Sequence, residues 1–138
     1  MSRSFLVFVA LVGAALFSSA CDNGPTITTP TPGPTVTDTF TGTVTLNGSI
    51  THSFSTSAAG AVTATITAIT PSGEVLGFQL GTWNTVTCSA VVSNDLATVN
   101  SVLSGNTQSA ASLCVKMHDP NGALTNKTVE YTVTVTHP

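Results

Sequence analysis

The run "TVEYTVTVT" near the end of the chain constrains the fold more than any other stretch. Val129, Tyr131, Val133 and Val135 fall on one side of it, and Thr128, Glu130, Thr132, Thr134 and Thr136 on the other. A period of two is that of a half-buried strand, because successive side chains of an extended backbone point to opposite faces. The same period runs through "AVTATITAIT", where Val62, Ala64, Ile66 and Ala68 oppose Thr63, Thr65 and Thr67. No stretch of comparable length after the first 20 residues holds a helical stripe. Thr and Ser fill the polar positions in place of charges, and branched Thr and Val suit a pleated surface better than a helix.

Six further runs read as strands: 39–46, 49–56, 74–81, 85–92, 97–104 and 112–119. Turn signals separate them. Asn47-Gly48 between two alternating runs predicts a two-residue hairpin, since the primed turn needs positive φ at both central positions. Ala59-Gly60, Pro71-Ser72-Gly73, Ser104-Gly105-Asn106 and Asp119-Pro120-Asn121-Gly122 punctuate the remainder. About eight short strands over roughly a hundred residues predict an all-β chain of two packed antiparallel sheets.

The first 37 residues have a different character. Arg3 precedes the apolar run Phe5 to Phe17, and the small residues Ser18, Ser19 and Ala20 follow. That order reads as a secretory signal over residues 1–20. Thirteen apolar residues rise only about 20 Å as a helix, short of a hydrocarbon core of about 30 Å. Residues 21–37 read as a tether. Pro25, Pro30, Pro32 and Pro34 favour extended backbone, and at about 3.1 Å per residue the segment reaches about 50 Å.

Cys21 stands where signal and tether meet. Three cysteines, Cys21, Cys88 and Cys114, are an odd number for an exported chain, so one needs a separate explanation. The stretch around Cys21 resembles a bacterial lipoprotein signal, which implies a lipidated first residue and a membrane anchor, with Cys88 and Cys114 left to pair. It departs from that pattern at Ser18, where such signals usually carry Leu. Ordinary secretion with a free Cys21 is the alternative. A Cys88–Cys114 bridge closes a span of 26 residues and contributes about 3 to 4 kcal/mol in the chain-entropy account. Cys88 is in phase with Val86 and Ala90, whereas Cys114 is in phase with Lys116 and His118, so either a bulge intervenes or the bridge lies at a sheet edge.

Without the signal the chain keeps Lys116 and Lys127 against six acids, a formal charge of −4. A surface so poor in cations gives phosphate backbones and anionic membranes nothing to hold, so nucleic acid is not an expected partner.

Chemistry-bearing residues are sparse. His52 lies on the face of Ile50 and Phe54, as a half-buried ring would. His118 and Asp119 are sequence neighbours, which in a strand point to opposite faces and so do not form a catalytic pair. The three histidines share no ligand spacing, and no metal or cofactor is expected. No serine sits in a Gly-x-Ser-x-Gly context. Asp119-Pro120-Asn121-Gly122 reads as a tight turn, with a cation loop as the alternative. Trp83 either caps the core or is an exposed contact for a sugar or protein.

The runs "GTVTLNGSITHSFSTSAAGAVTATITAITP", "LGFQLGTWNTVTC" and "SLCVKMHDPNGALTNKTVEYTVTVTHP" together resemble the bacterial pre-peptidase C-terminal domain and its lipoprotein-like relatives, over residues 38–138. The resemblance implies a jelly-roll-type β-sandwich that aids secretion, anchoring or substrate contact. No protease precedes the module here, which leaves a stand-alone role in the envelope. The expectation is a non-catalytic module, periplasmic or at the cell surface, that binds a protein or polysaccharide through loops at one end. A structural or adhesion subunit is one alternative, and a hydrolase or calcium-dependent carbohydrate binder another. A deep pocket joining His52 or His118 to a carboxylate would favour the enzyme, and a flat threonine-rich sheet face would favour contact.

Overall fold

The computed structural model describes residues 33–138. The signal, Cys21 and most of the tether lie outside the described residues. Eight strands follow one another: β1 (Val36–Thr45), β2 (Ser49–Thr56), β3 (Gly60–Thr70), β4 (Leu76–Trp83), β5 (Cys88–Ala97), β6 (Val102–Thr107), β7 (Ala111–His118) and β8 (Thr128–His137). A single 3-10 turn, Pro120–Gly122, interrupts the β7–β8 connection.

The strands form two four-stranded antiparallel sheets, ordered β1-β8-β3-β6 and β2-β7-β4-β5. Every connection except β4–β5 carries the chain from one sheet to the other, which is the jelly-roll path. Two sheets that each have one apolar face can bury both faces only by stacking, and the alternation supplies those faces. Val129, Tyr131, Val133 and Val135 of β8 meet Leu113, Val115 and Met117 of β7 and Phe78 of β4 in a single core cluster.

Several local expectations need correction. Asn47-Gly48 is a tight turn, with φ of 56° at Asn47 and Gly48 N–H donating to the Thr45 carbonyl at 2.7 Å. Gly48 does not take positive φ, and the strands on either side belong to different sheets, so no hairpin ladder forms. Ser104-Gly105-Asn106 lies inside β6, where pairing with Ala61, Val62 and Thr63 of β3 overrides its turn chemistry. The actual turn comes earlier, at Thr98–Ser101, with φ of 70° at Asn100. Thr85, Val86 and Thr87 lie in the β4–β5 turn, where the Asn84 side-chain carbonyl accepts both the Val86 and Thr87 amides and delays the strand to Cys88. In β3 a bulge between Ile66 and Ala68 shifts the phase, so that Ile69 is buried and Ala68 is exposed.

Candidate functional site

The outer face of the first sheet is a register of threonines. Antiparallel pairing sets Thr37 beside Thr136 and Thr136 beside Thr63, then Thr39 beside Thr134 and Thr134 beside Thr65. The next row runs Thr41, Thr132, Ala68, and the next Thr43, Glu130, Thr70. Neighbours along a strand on this face are about 6.6 Å apart and neighbouring strands about 4.8 Å apart. Each side chain offers a methyl and a hydroxyl that both donates and accepts. Thr37 and Thr136 bond to each other at 3.3 Å, and the Thr67 hydroxyl donates to the Thr132 carbonyl at 3.3 Å. Where the bulge brings Ala68 into the array, its small side chain opens a shallow hollow of about 330 Å³, lined by Thr41, Thr43, Thr70, Thr132 and Glu130 among others.

Each histidine has a partner of its own. His52 of β2 stacks on Phe40 of β1, with ring centroids 4.9 Å apart, and its Nε2 lies 2.8 Å from the Tyr131 hydroxyl. Burial lowers the His52 pKa and pushes that of Tyr131 up to about 12, so both are neutral and share one hydrogen bond. His137 is buried, its Nε2 3.1 Å from Asp38. His118 lies on the outer face of the second sheet with Nε2 3.4 Å from Asp95. His118 and Asp119 do diverge: the Asp119 carboxylate accepts the amides of Asn47 at 2.7 Å, Ala123 at 2.8 Å and Leu124 at 3.1 Å. The turn reading therefore describes Asp119, whose oxygens are occupied by backbone. Among the described residues no three His, Cys, Asp or Glu side chains cluster to hold a metal ion.

Cys88 and Cys114 are bonded, with Cα atoms 5.8 Å apart. Both sequence options for the phase conflict hold, since β5 is an edge strand and a bulge separates Leu80 from Gly81 in its pairing with β4. The start of β5 folds back over the outer face of β4. Gly81 lies opposite Cys114, and a Cβ there would come within 2.9 Å of the Ala90 Cα. The fold-back buries Cys114 completely although it points away from the core. Trp83, paired with Cys88 at the end of β4, is half-buried and stands outside the core cluster, which corrects the core-capping alternative. A second hollow of about 280 Å³ opens between β5 and β6, among Leu80, Val91, Val92, Gly105 and Leu113. Neither hollow is lined by a histidine.

The two poles of the sandwich differ. Residue 33 enters at the pole that carries Trp83 and the β2–β3, β4–β5 and β6–β7 turns, with Gly33 packed near Ala58. At the opposite pole Glu74, 6% exposed, accepts the amides of Thr125 at 3.2 Å and Asn126 at 3.1 Å as well as both their side chains. The Thr125 side chain, then that of Asn126, holds the Glu74 carboxyl below the usual carboxylate range. Sequence reasoning missed this role; the one signal was an acid beside a Pro-Ser-Gly turn.

No family model matches this chain, and no curated protein matches it. No helix among the described residues is long and apolar enough to cross a membrane.

Proposed function

We propose that the protein is a non-catalytic module of the bacterial cell envelope, anchored by lipid on Cys21, that binds a protein or polysaccharide through the threonine face of the β1-β8-β3-β6 sheet. The observation that carries this reading is the in-register threonine array, in which three adjacent strands present hydroxyls in common rows. Such a surface suits a ligand that is itself repetitive, uncharged and rich in hydroxyls or amides. With two lysines against six acids after the signal, an acidic polymer gains little from it. Gly33, the first described residue, lies at one pole, whereas this face lies along the side of the sandwich. The likeness to the pre-peptidase C-terminal domain supports the same role.

The test has two parts. Intact mass of the membrane-extracted protein, before and after reduction, reports acyl chains on Cys21 and two protons gained at Cys88 and Cys114. Co-sedimentation with peptidoglycan sacculi, chitin and cellulose then compares the wild type with Thr65→Lys and Thr134→Lys, cross-strand neighbours in the middle of the face. Retention by one of these polymers that both variants lose supports the reading. Retention unaffected by either variant, or by none of the three polymers, removes polysaccharide binding by this face.

A further inference from the structure

The four edge strands of the sandwich differ in how well they are protected against pairing. β5 is broken by two bulges against β4 and carries Asp95. β6 is six residues long and includes Gly105. Bulges, charges and short length are the usual means of blunting an edge. β1 is neither bulged nor short and has no charge on its exposed face; an inward-pointing charge is also a blunting device, and the one it has, Asp38, is engaged by His137. Its ten residues pair with β8 without a register shift, its outward positions are Thr37, Thr39, Thr41, Thr43 and Thr45, and its one ionisable side chain, Asp38, points inward to His137. Among the described residues, nothing hydrogen-bonds to the other side of β1.

We propose that β1 pairs with β1 of a second copy of this chain, antiparallel about a two-fold axis through Thr41, joining the two first sheets into one of eight strands. The sequence of β1 is complementary to itself in that register. Thr41 faces Thr41, Thr39 faces Thr43, and Thr37 faces Thr45, so every outward pair is threonine on threonine, a favourable cross-strand combination. On the inner side Phe40 faces Gly42 and Asp38 faces Val44, so a large side chain meets the smallest and no like charges oppose. A register shifted by one residue would set threonines against the core-facing set and is excluded by the period of two. Such an interface is isologous and closed, which ends assembly at two copies. It also makes the threonine rows continuous across both copies and puts the two Val36 ends of β1 at opposite ends of the pair. The pairing holds whether or not the face binds a polymer, and it is tested by variants on a different strand from those above. β2, eight residues without a bulge, is the competing edge and serves as the control.

Sedimentation velocity on the exported chain carrying Cys21→Ser, over a wide concentration range, should show a monomer–dimer equilibrium. Thr41→Lys sets two lysines opposite each other on the axis and should raise the dimer dissociation constant about tenfold or more. Ser53→Lys, exposed on β2, should leave it unchanged. In the same background Thr41→Cys should be cross-linked to its copy by a short homobifunctional maleimide, because directly opposed Cβ atoms lie about 5 Å apart, wider than the roughly 3.5 to 4.5 Å that a disulfide spans, and Thr51→Cys should not. A monomer at all concentrations overturns the proposal. So does a dimer that Ser53→Lys weakens, or one that persists in a Thr41→Lys protein with native circular dichroism. If Thr41→Lys fails to fold, the Thr41→Cys cross-link decides: its absence overturns the pairing.

Discussion

The Tyr131 hydroxyl of β8 lies directly over Gly42 of β1, its partner in the ladder, and fills the space a side chain there would need. A Cβ on residue 42 would sit 2.5 Å from the Tyr131 oxygen and 2.8 Å from the ring carbon that bears it. The same hydroxyl makes the 2.8 Å bond to His52 on the facing sheet, so one missing methyl on β1 allows a polar link between the two sheets.

Gly42→Ala is therefore expected to push Tyr131 aside and break the bond to His52. Overpacking and the orphaned partners together cost about 2 to 4 kcal/mol. Urea unfolding checks this as a fall in midpoint with unchanged slope. An unchanged midpoint would mean that Tyr131 has another place to go.

Stability should also depend on pH through His52. Burial lowers its pKa in the folded state, so the unfolded chain binds the proton more readily. Between the folded value and the ordinary value of about 6.5 the unfolded state carries more protons, and stability rises with pH. The contribution is complete above about 6.5 and is lost as pH falls below it. Unfolding free energies measured across that window should fall toward acid, and His52→Gln should flatten the slope. A slope of the same size in the variant would assign the dependence to another group.

How far the sequence reveals this molecule depends on whether a signal is local. The alternation in 128–136 places every inward residue of β8 correctly, because a buried strand has no freedom in which side chains it turns to the core. Ala68 breaks the alternation because the bulge is set by a segment distant in the chain: Asn100 and Ser101, in the turn before β6, bond the backbone of Ile66, and nothing near Ala68 in the sequence records it. The Cys88–Cys114 pairing follows from counting cysteines, but its position on the outer face depends on Gly81 lying under Ser89 and Ala90. Of the candidate face, the threonines were legible one strand at a time. That β1, β8 and β3 are neighbours is a property of the chain path, so the rows appear only in the fold.

Glu74 offers a test at the far pole. As a carboxylate it accepts from the backbone and side chains of both Thr125 and Asn126, tying the β3–β4 loop to the segment before β8. Glu74→Gln keeps the shape but puts an amide that donates where only acceptors are needed, so it should loosen residues 123–127. Faster amide exchange at Thr125 and Asn126, with the β8 strand unaffected, is the expected pattern. Because its pKa lies below the ordinary range when folded, the wild-type contribution is present above about 4.5 and is lost as pH falls through the folded value. Exchange protection at these two amides should therefore drop in acid in the wild type, and should be weak and flat in the variant.

The disulfide governs the other end of the second sheet. Cys88 opens the edge strand β5 and Cys114 sits in β7, two strands in, so the bond holds the start of β5 across the back of β4. Its 26-residue separation corresponds to about 3 to 4 kcal/mol of unfolded-state restriction, a large share of the roughly 5 to 15 kcal/mol expected of a domain. Reduction, or a Cys88→Ser/Cys114→Ser double variant, should lower the thermal midpoint by at least about 10 °C, given about 4 to 8 °C per kcal/mol in a domain of this size. The loss should begin locally. With the bond gone, the 84–90 segment is held by the Asn84 turn and by its pairing with β4, and Val86 and Val91 already lie on the surface, 78% and 73% exposed. Limited proteolysis of the reduced protein should accordingly cut first within 84–90 while β1, β3 and β8 remain intact. First cleavage in β1 or β8 instead would show that the bridge stabilises the whole sandwich uniformly and not this edge.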